Sequence, residues 1–284
     1  MMPPSSDQPA CVPLPAGEAC LYEHPYRVFD DVFCIRACNA SPMSFEGTNT
    51  WVVHPAGASA CAVIDPATDE AAHWGAIEAL AASRGARIGE VLLTHGHPDH
   101  AQGAQAFAEK HHARYLARKD GLLVEGDLLL CAGALKARVV PLAGHSGDSV
   151  GIVLPRDKAL FSGDTFFSRG WTVITKPDGS LADYFATLDR IEALVRQGAV
   201  CTVLPGHREV MDAVTVLRRL GEYRTHRLER LDEVRAAHER LGSWDVDALV
   251  AAVYTDLDNP VLIRAATMSL ACQIEYLKQN EEPC

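Results

Sequence analysis

No two cysteines of this 284-residue chain are spaced Cys-x-x-Cys, no run of about twenty apolar residues occurs in it, and basic residues are outnumbered, 26 Lys and Arg against 37 Asp and Glu. Each shortage excludes something. The nine cysteines, at positions 11, 20, 34, 38, 61, 131, 201, 272 and 284, form no framework spacing, and their number is odd. That argues against a disulfide-stapled scaffold and for free thiols in a reducing compartment. Cys34, Cys61 and Cys201 lie in apolar strand-like runs and are expected in the core. Without a long apolar run there is no candidate membrane span. The opening Met1-Met2-Pro3-Pro4-Ser5-Ser6-Asp7 has neither a charged segment nor an apolar one of the secretory kind, so the expected location is cytoplasmic. A formal charge of -11 and a pI near 5.5 disfavour phosphate-rich nucleic acid and anionic membrane surfaces as partners and leave a small-molecule substrate.

What is present reads as an ordinary globular chain, 48% hydrophobic and 22% charged, with ample length for a large core. Residues 1–20, rich in Pro, Ser and Ala, read as a poorly ordered extension. Alternation predicts strands at Tyr26–Phe29 and Val32–Arg36, then at Thr50–Val53 and Cys61–Asp65. Helical spacing over Asp69–Arg84 stops at Gly85. Strand Glu90–Leu93 follows, then a helix from Ala101 to His112. Its terminal His111 and His112 read as surface residues that suit the helix dipole. Residues 113–163 read as short strands. An amphipathic helix over 182–197 carries Phe185, Leu188, Ile191 and Leu194 on one stripe, and Val200–Leu204 is a last strand. From Val210 onward the pattern is helical: Val210–Leu241 with a possible break near Gly221, then Val246–Tyr254 and Val261–Lys278, the last started by Asn259-Pro260.

The chain is organised around Thr94-His95-Gly96-His97-Pro98-Asp99-His100, which follows the apolar run Val91-Leu92-Leu93. A strand that stops at Thr94 and turns through Gly96 and Pro98 throws His95 and His97 to one side and Asp99 and His100 to another. That geometry suits two neighbouring cations better than one. Imidazole and carboxylate suit Zn²⁺, Fe²⁺ or Mn²⁺, and without cysteine the cluster reads as a catalytic rather than a closed structural site.

His-x-His-x-Asp-His resembles the metal motif of the metallo-β-lactamase superfamily. The resemblance demands a further His, an Asp and a His downstream, each just past a strand. His145 in Ala143-Gly144-His145-Ser146, Asp164 in Ser162-Gly163-Asp164-Thr165 and His207 in Leu204-Pro205-Gly206-His207 meet it in order. Asn39–Thr50, the Tyr223-Arg224-Thr225-His226-Arg227 stretch and the terminal helices resemble the β-lactamase-like protein 2 group, related to glyoxalase II. That group joins the metallo-β-lactamase domain to a winged-helix-like C-terminal domain.

The resemblance implies an α/β fold, a four-layer αβ/βα sandwich over residues 21–221, followed by a C-terminal helical, winged-helix-like module over 222–284. It implies two divalent metal ions, zinc foremost with Fe or Mn as alternatives. One would sit on His95, His97 and His145, the other on Asp99, His100 and His207, with Asp164 bridging. A hydroxide shared by the two ions would be the nucleophile, and Asp99 is the catalytic candidate that orients it or moves its proton. The expected reaction is hydrolysis of an acyl thioester or ester. Cleavage of single-stranded RNA is the alternative, and a non-hydrolytic iron oxygenase or binding protein a third. The 222–284 stretch carries seven Lys and Arg against twelve Asp and Glu, which weighs against the nuclease.

Ser146, Asp148 and Thr165 flank ligands, where they either hold the histidines by hydrogen bonds or stabilise turns. Arg169, Trp171 and Tyr184, after Asp164, are candidates to line a substrate pocket, with surface or core placement as the alternative.

Overall fold

The computed structural model describes residues 22–255 and 260–280. The expected extension over 1–20 lies outside the described residues, as does Asn259 of the expected last helix start.

The chain runs as two halves of the same plan. The first half contains β1 (Pro25–Phe29), β2 (Val32–Arg36), β3 (Asn49–Val53), β4 (Ala60–Ile64), α1 (Ala71–Ser83), β5 (Arg87–Leu92), α2 (Pro98–Ala101), α3 (Ala104–Lys110) and β6 (Arg114–Leu116). The second contains β7 (Gly126–Leu130), β8 (Leu135–Pro141), β9 (Val150–Leu154), β10 (Ala159–Gly163), α4 (Leu181–Arg196), β11 (Thr202–Pro205) and β12 (Met211–Asp212). Three helices follow: α5 (Ala213–Leu241), α6 (Val246–Val253) and α7 (Pro260–Asn280). Each half forms one six-stranded sheet, ordered β1 to β6 and β12 to β7. Four strands pair antiparallel in succession, and then a helix carries the chain over to a parallel neighbour, α1 between β4 and β5 and α4 between β10 and β11. A parallel pair requires such a crossover.

Strands β2, β3, β4, β9 and β10 are buried at every residue, so both faces of each sheet are covered. Trp51, Ile64 and Leu92 of the first sheet meet Ile152, Phe161 and Leu204 of the second. The alternate residues Val52, Val63 and Val91 face outward onto Ile77 of α1 and Phe107 of α3. On the other side Val153, Leu160 and Val203 pack beneath Leu188 and Ile191 of α4 and Leu220 of α5. The result is the expected four-layer αβ/βα sandwich with C-terminal helices.

Local sequence explains the helix ends. Ser180 accepts the backbone N–H of Asp183 at the start of α4, and Asp212 accepts that of Thr215 at the start of α5. Three expectations are corrected. The helix expected over 101–112 is the short α2 followed by a separate α3, because Gly103 interrupts them. Helix α5 runs unbroken for 29 residues, since Gly221 lies on its exposed side, where its cost is only about 1 kcal/mol. Cys201 is half-buried just before β11, whereas Cys34 and Cys61 are in the core. Among the described residues no strand follows β12, and no helix is long and apolar enough to cross a membrane.

Candidate metal centre

The ends of β4, β5, β8, β10 and β11 meet at one edge of the sandwich. Val150 N donates to Thr94 O, Gly206 N to Gly163 O and Asn49 N to Gly206 O, so the segments that follow these strands are tied together before any side chain is considered. All seven sequence-predicted residues converge there in two groups. His95, His97 and His145 form one, and Asp99, His100, Asp164 and His207 the other, with one potential ligating atom from each within 4.8 Å of the others in its group. The split matches the expectation that the turn at Gly96 and Pro98 sends its two pairs of ligands apart.

In the first group Nδ1 of His97 lies 3.1 Å from Nε2 of His95 and 2.9 Å from Nε2 of His145. In the second, Nε2 of His207 lies 3.2 Å from Oδ2 of both Asp99 and Asp164, and Nε2 of His100 lies 3.2 Å from Oδ1 of Asp164. Asp164 Oδ2 is also 4.0 Å from Nε2 of His145, so this one carboxylate faces both groups.

The outward nitrogens of these rings have oxygen partners. Nδ1 of His100 donates to Asp65 Oδ2 at 2.9 Å, Nδ1 of His145 to Val173 O at 2.7 Å and Nδ1 of His207 to Gly47 O at 3.1 Å. Nδ1 of His95 lies 3.1 Å from Oγ1 of Thr94, whose own hydrogen goes to Asp65 Oδ2. Nε2 of His97 faces Asp178 Oδ2 at 3.5 Å. An acceptor on the outer nitrogen fixes the tautomer that turns a lone pair inward, the arrangement metal-ligating histidines require.

The electrostatics fit the same purpose. Burial, together with His100, holds His95 well below the ordinary imidazole range, and burial likewise depresses His145. For His100 and His207 burial acts in the same sense but is outweighed: Asp164 and Asp65 raise His100 well above its usual value, and Asp164 and Asp99 raise His207 to about 9. Burial would raise Asp164, yet His207 and His100 pull its carboxyl well below the carboxylate range. Asp99, opposed by burial too, is lowered by His207 and His100. Nε2 of His100, Nε2 of His207 and Oδ1 of Asp164 are buried without a hydrogen-bond partner. Three converging atoms of this kind, two of them basic and one anionic, are what a bound cation would satisfy. The residues present therefore fit divalent metal.

Close approach is built in by glycine. A Cβ on Gly206 would stand 2.3 Å from Asp164 Oδ1 and 2.7 Å from His100 Cε1, and Gly163, at a φ of 52°, leaves no room for one against Thr94.

The cluster floors an open pocket of about 340 Å³. His97, Asp99, His145 and Asp164 line its base, and Met43, Phe45, Phe167, Trp171 and Val173 its apolar walls; no Lys or Arg lines it. The neighbouring Arg169 is bound to Glu46 and Glu209, and Arg208 to Glu46 and the face of Phe45. Of the three pocket candidates, then, only Trp171 lines it. Arg169 is an exposed ion-pair residue, and Tyr184 is fully buried with its hydroxyl on Thr165 O. Ser146 and Asp148 bond to each other, and Thr165 Oγ1 to Ser162 O, so all three stabilise turns. Sequence reasoning passed over Asp65, whose one signal is a carboxylate ending the apolar run Cys61–Ile64, and Thr172, which carries none.

The Metallo-beta-lactamase superfamily model matches residues 43–137 and 118–207. The chain belongs to the metallo-β-lactamase superfamily. A beta-lactamase-like protein 2 homolog of Caenorhabditis elegans is 27% identical over 86% of this chain and 82% of its own length. The atrochrysone carboxyl ACP thioesterase AgnL7 of Paecilomyces divaricatus is 30% identical over 78% and 72%. Among solved structures, a beta-lactamase domain protein of Burkholderia ambifaria superposes with a TM-score of 0.73 at 21% identity, covering 92% of this chain and 90% of that one, which shows the shared fold. Superfamily, group and fold thus agree with what the motifs implied, as does the expectation of a hydrolase of this fold.

Proposed function

We propose that this metallo-β-lactamase-fold hydrolase works with two divalent cations, zinc foremost, and cleaves small acyl thioesters or esters. The observation that carries the reading is Asp164, one carboxylate facing both groups of ligands at the floor of a pocket. When bound there, such a pair of cations supplies Lewis-acid polarisation of an oxygen and lowers the pKa of a water between them. His95, His97 and His145 would hold one ion, Asp99, His100 and His207 the other, and Asp164 both.

The chain's own part is positioning and proton handling. Asp99 is 29% exposed, ionised, and at the base of the pocket as well as 3.2 Å from His207, so it is the carboxylate suited to orient a water and take its proton. The apolar walls suit an uncharged acyl group and shield the reacting carbon from bulk water. Carbonyl rather than phosphorus chemistry is favoured by those walls, by the paired state of Arg169 and Arg208, and by the acidic C-terminal stretch. The thioesterase named among the relatives supports the same choice. The test is a panel of acyl thioesters, lactones and bis-p-nitrophenyl phosphate set beside labelled RNA. Thioester turnover abolished by His97→Ala is expected; RNA cleavage abolished by that change, without turnover of any acyl compound, would overturn the reading.

A further inference from the structure

One face of α5 is written into the pocket wall. Arg219, Tyr223 and Arg227 recur every four residues and so lie on one side of the helix, and all three are buried. They bind the backbone of the segment that follows Asp164. Arg219 donates from Nε to Phe167 O at 2.9 Å and from Nη2 to Gly170 O. The Tyr223 hydroxyl accepts the backbone N–H of Phe167 at 3.2 Å and of Thr172 at 3.1 Å. Arg227 donates to Thr172 O. Thr172 is thus held by both its backbone groups. Its side chain in turn donates from Oγ1 to Asp164 O at 2.7 Å and lies 3.2 Å from Nδ1 of His145. Asp164 and His145 are the residues whose approach links the two groups of ligands.

We infer that the Arg219–Tyr223–Arg227 face, acting through Thr172, is a positioning device that sets the separation of His145 and Asp164 and so the metal affinity of the centre. The long helix then belongs to the site rather than to an appendage beside it. Arg219 also pairs with Glu222, but the buried Arg227 is aimed at a backbone carbonyl, which is more than this wall needs to remain folded, since a buried Arg without a carboxylate partner is costly. Arg227 forms no ion pair among the described residues; it donates to Thr172 O and lies 5.5 Å from the Tyr184 ring. The inference rests on the reading that the two groups bind metal, and its test reads binding rather than turnover.

Metal-free full-length protein would be titrated with Zn²⁺ by calorimetry and with Co²⁺ by its visible absorption, in the wild type and in Thr172→Val, Arg227→Met, Arg227→Lys and Arg224→Ala. Arg224, on the same helix, pairs with Asp189 and Glu192 at the surface and serves as the control. The expected result is two ions per wild-type chain, about 10-fold or greater loss of affinity for at least one of them in Thr172→Val and Arg227→Met, and a changed Co²⁺ spectrum. Arg227→Lys should recover part of the loss, and Arg224→Ala should match the wild type. Thr172→Val is nearly isosteric, so it decides the matter should Arg227→Met fail to fold. A wild type that binds two ions while Thr172→Val binds them equally well overturns the inference alone. A wild type that binds no metal overturns the reading of the site and this inference with it.

Discussion

Asp65 Oδ2 accepts the Nδ1–H of His100 at 2.9 Å, across 35 positions of sequence, and both side chains are fully buried. Asp65 sits at the end of β4 with a φ of 53°, and its carboxylate also accepts Thr94 N at 2.7 Å and Thr94 Oγ1 at 2.6 Å. One buried anion therefore orients His100 directly and His95 through Thr94, and strengthens the donor power of the inward His100 nitrogen. Replacing it by an amide of the same shape removes the charge while keeping the volume. Asp65→Asn should weaken zinc binding by about 10- to 100-fold, measured by calorimetry on the metal-free protein. Unchanged affinity would show that Asp65 serves only to close the turn.

Gly206→Ala changes no ligand, yet the added methyl would overlap Asp164 Oδ1 and crowd the His100 ring. The neighbouring backbone is fixed by Asn49, whose N–H donates to Gly206 O at 2.7 Å, so the strain falls on the carboxylate. Metal analysis by plasma emission should find the Asp99–His100–Asp164–His207 group depleted, with content falling from two ions toward one per chain. Retention of two ions would mean that the carboxylate swings aside without loss.

How far the site could be read in the sequence follows from where each partner stands. The seven candidate ligands were legible because each ends or follows a strand, and His145, Asp164 and His207 each follow a glycine that lets the backbone close in. Single strands such as Val32–Arg36 and Cys61–Asp65 were legible from their residues, but the stacking of two sheets into a sandwich was legible only through the resemblance that the metal motif carries. What holds the ligands was not. Asp65 reaches His100 across a sheet, and Arg227 reaches Thr172 across 55 positions. Such pairs share no local period and appear only once the layers are stacked. Tyr184 was a pocket candidate because it lies near Asp164 in sequence, but on α4 it faces the core beneath the pocket wall.

His226 stacks flat on Trp171, ring centroids 4.1 Å apart, at the pocket wall. Burial, aided by the nearby Arg227, Arg230 and Arg219, pushes its pKa down to about 4 from an ordinary 6.5. A base depressed in the folded state lends stability that is present above pH 6.5 and is lost as pH falls through about 4, because the unfolded chain takes up the proton first. Urea unfolding of wild type and His226→Phe, compared point by point from pH 7 to 4, should show the wild type losing ground to the variant across that window. A constant difference over the range would remove His226 from the acid sensitivity of the fold.

Metal removal should act on stability as well as on turnover. A bound cation would take the inward nitrogens of His100 and His207 as ligands, and a ligand that binds only the folded chain stabilises it by about 2.7 kcal/mol at 100 times its dissociation constant. Differential scanning calorimetry should therefore record a lower, zinc-dependent transition after dialysis against chelator, with hydrolysis lost in parallel and both restored by zinc. A transition unmoved by zinc would mean that the groups bind it too weakly to matter.

Trp171 separates pocket shape from metal chemistry. It lines the pocket, is 38% exposed, and is held from behind by His226 and by Arg219, whose guanidinium lies 4.9 Å from its ring centroid. Its indole packs on Tyr223 and His226 and is not one of the seven candidate ligands, so truncation should leave the metal centre intact while removing apolar area that a substrate's acyl group would cover. At about 25 cal/mol per Å², covering some 60 Å² contributes about 1.5 kcal/mol, or roughly a tenfold change in binding. For an apolar acyl thioester, Trp171→Ala should accordingly raise KM about tenfold with kcat changed by less than about threefold, and it should keep two ions per chain. A fall in kcat with KM unchanged would instead place Trp171 against the reacting centre, acting on the transition state rather than on the bound acyl group.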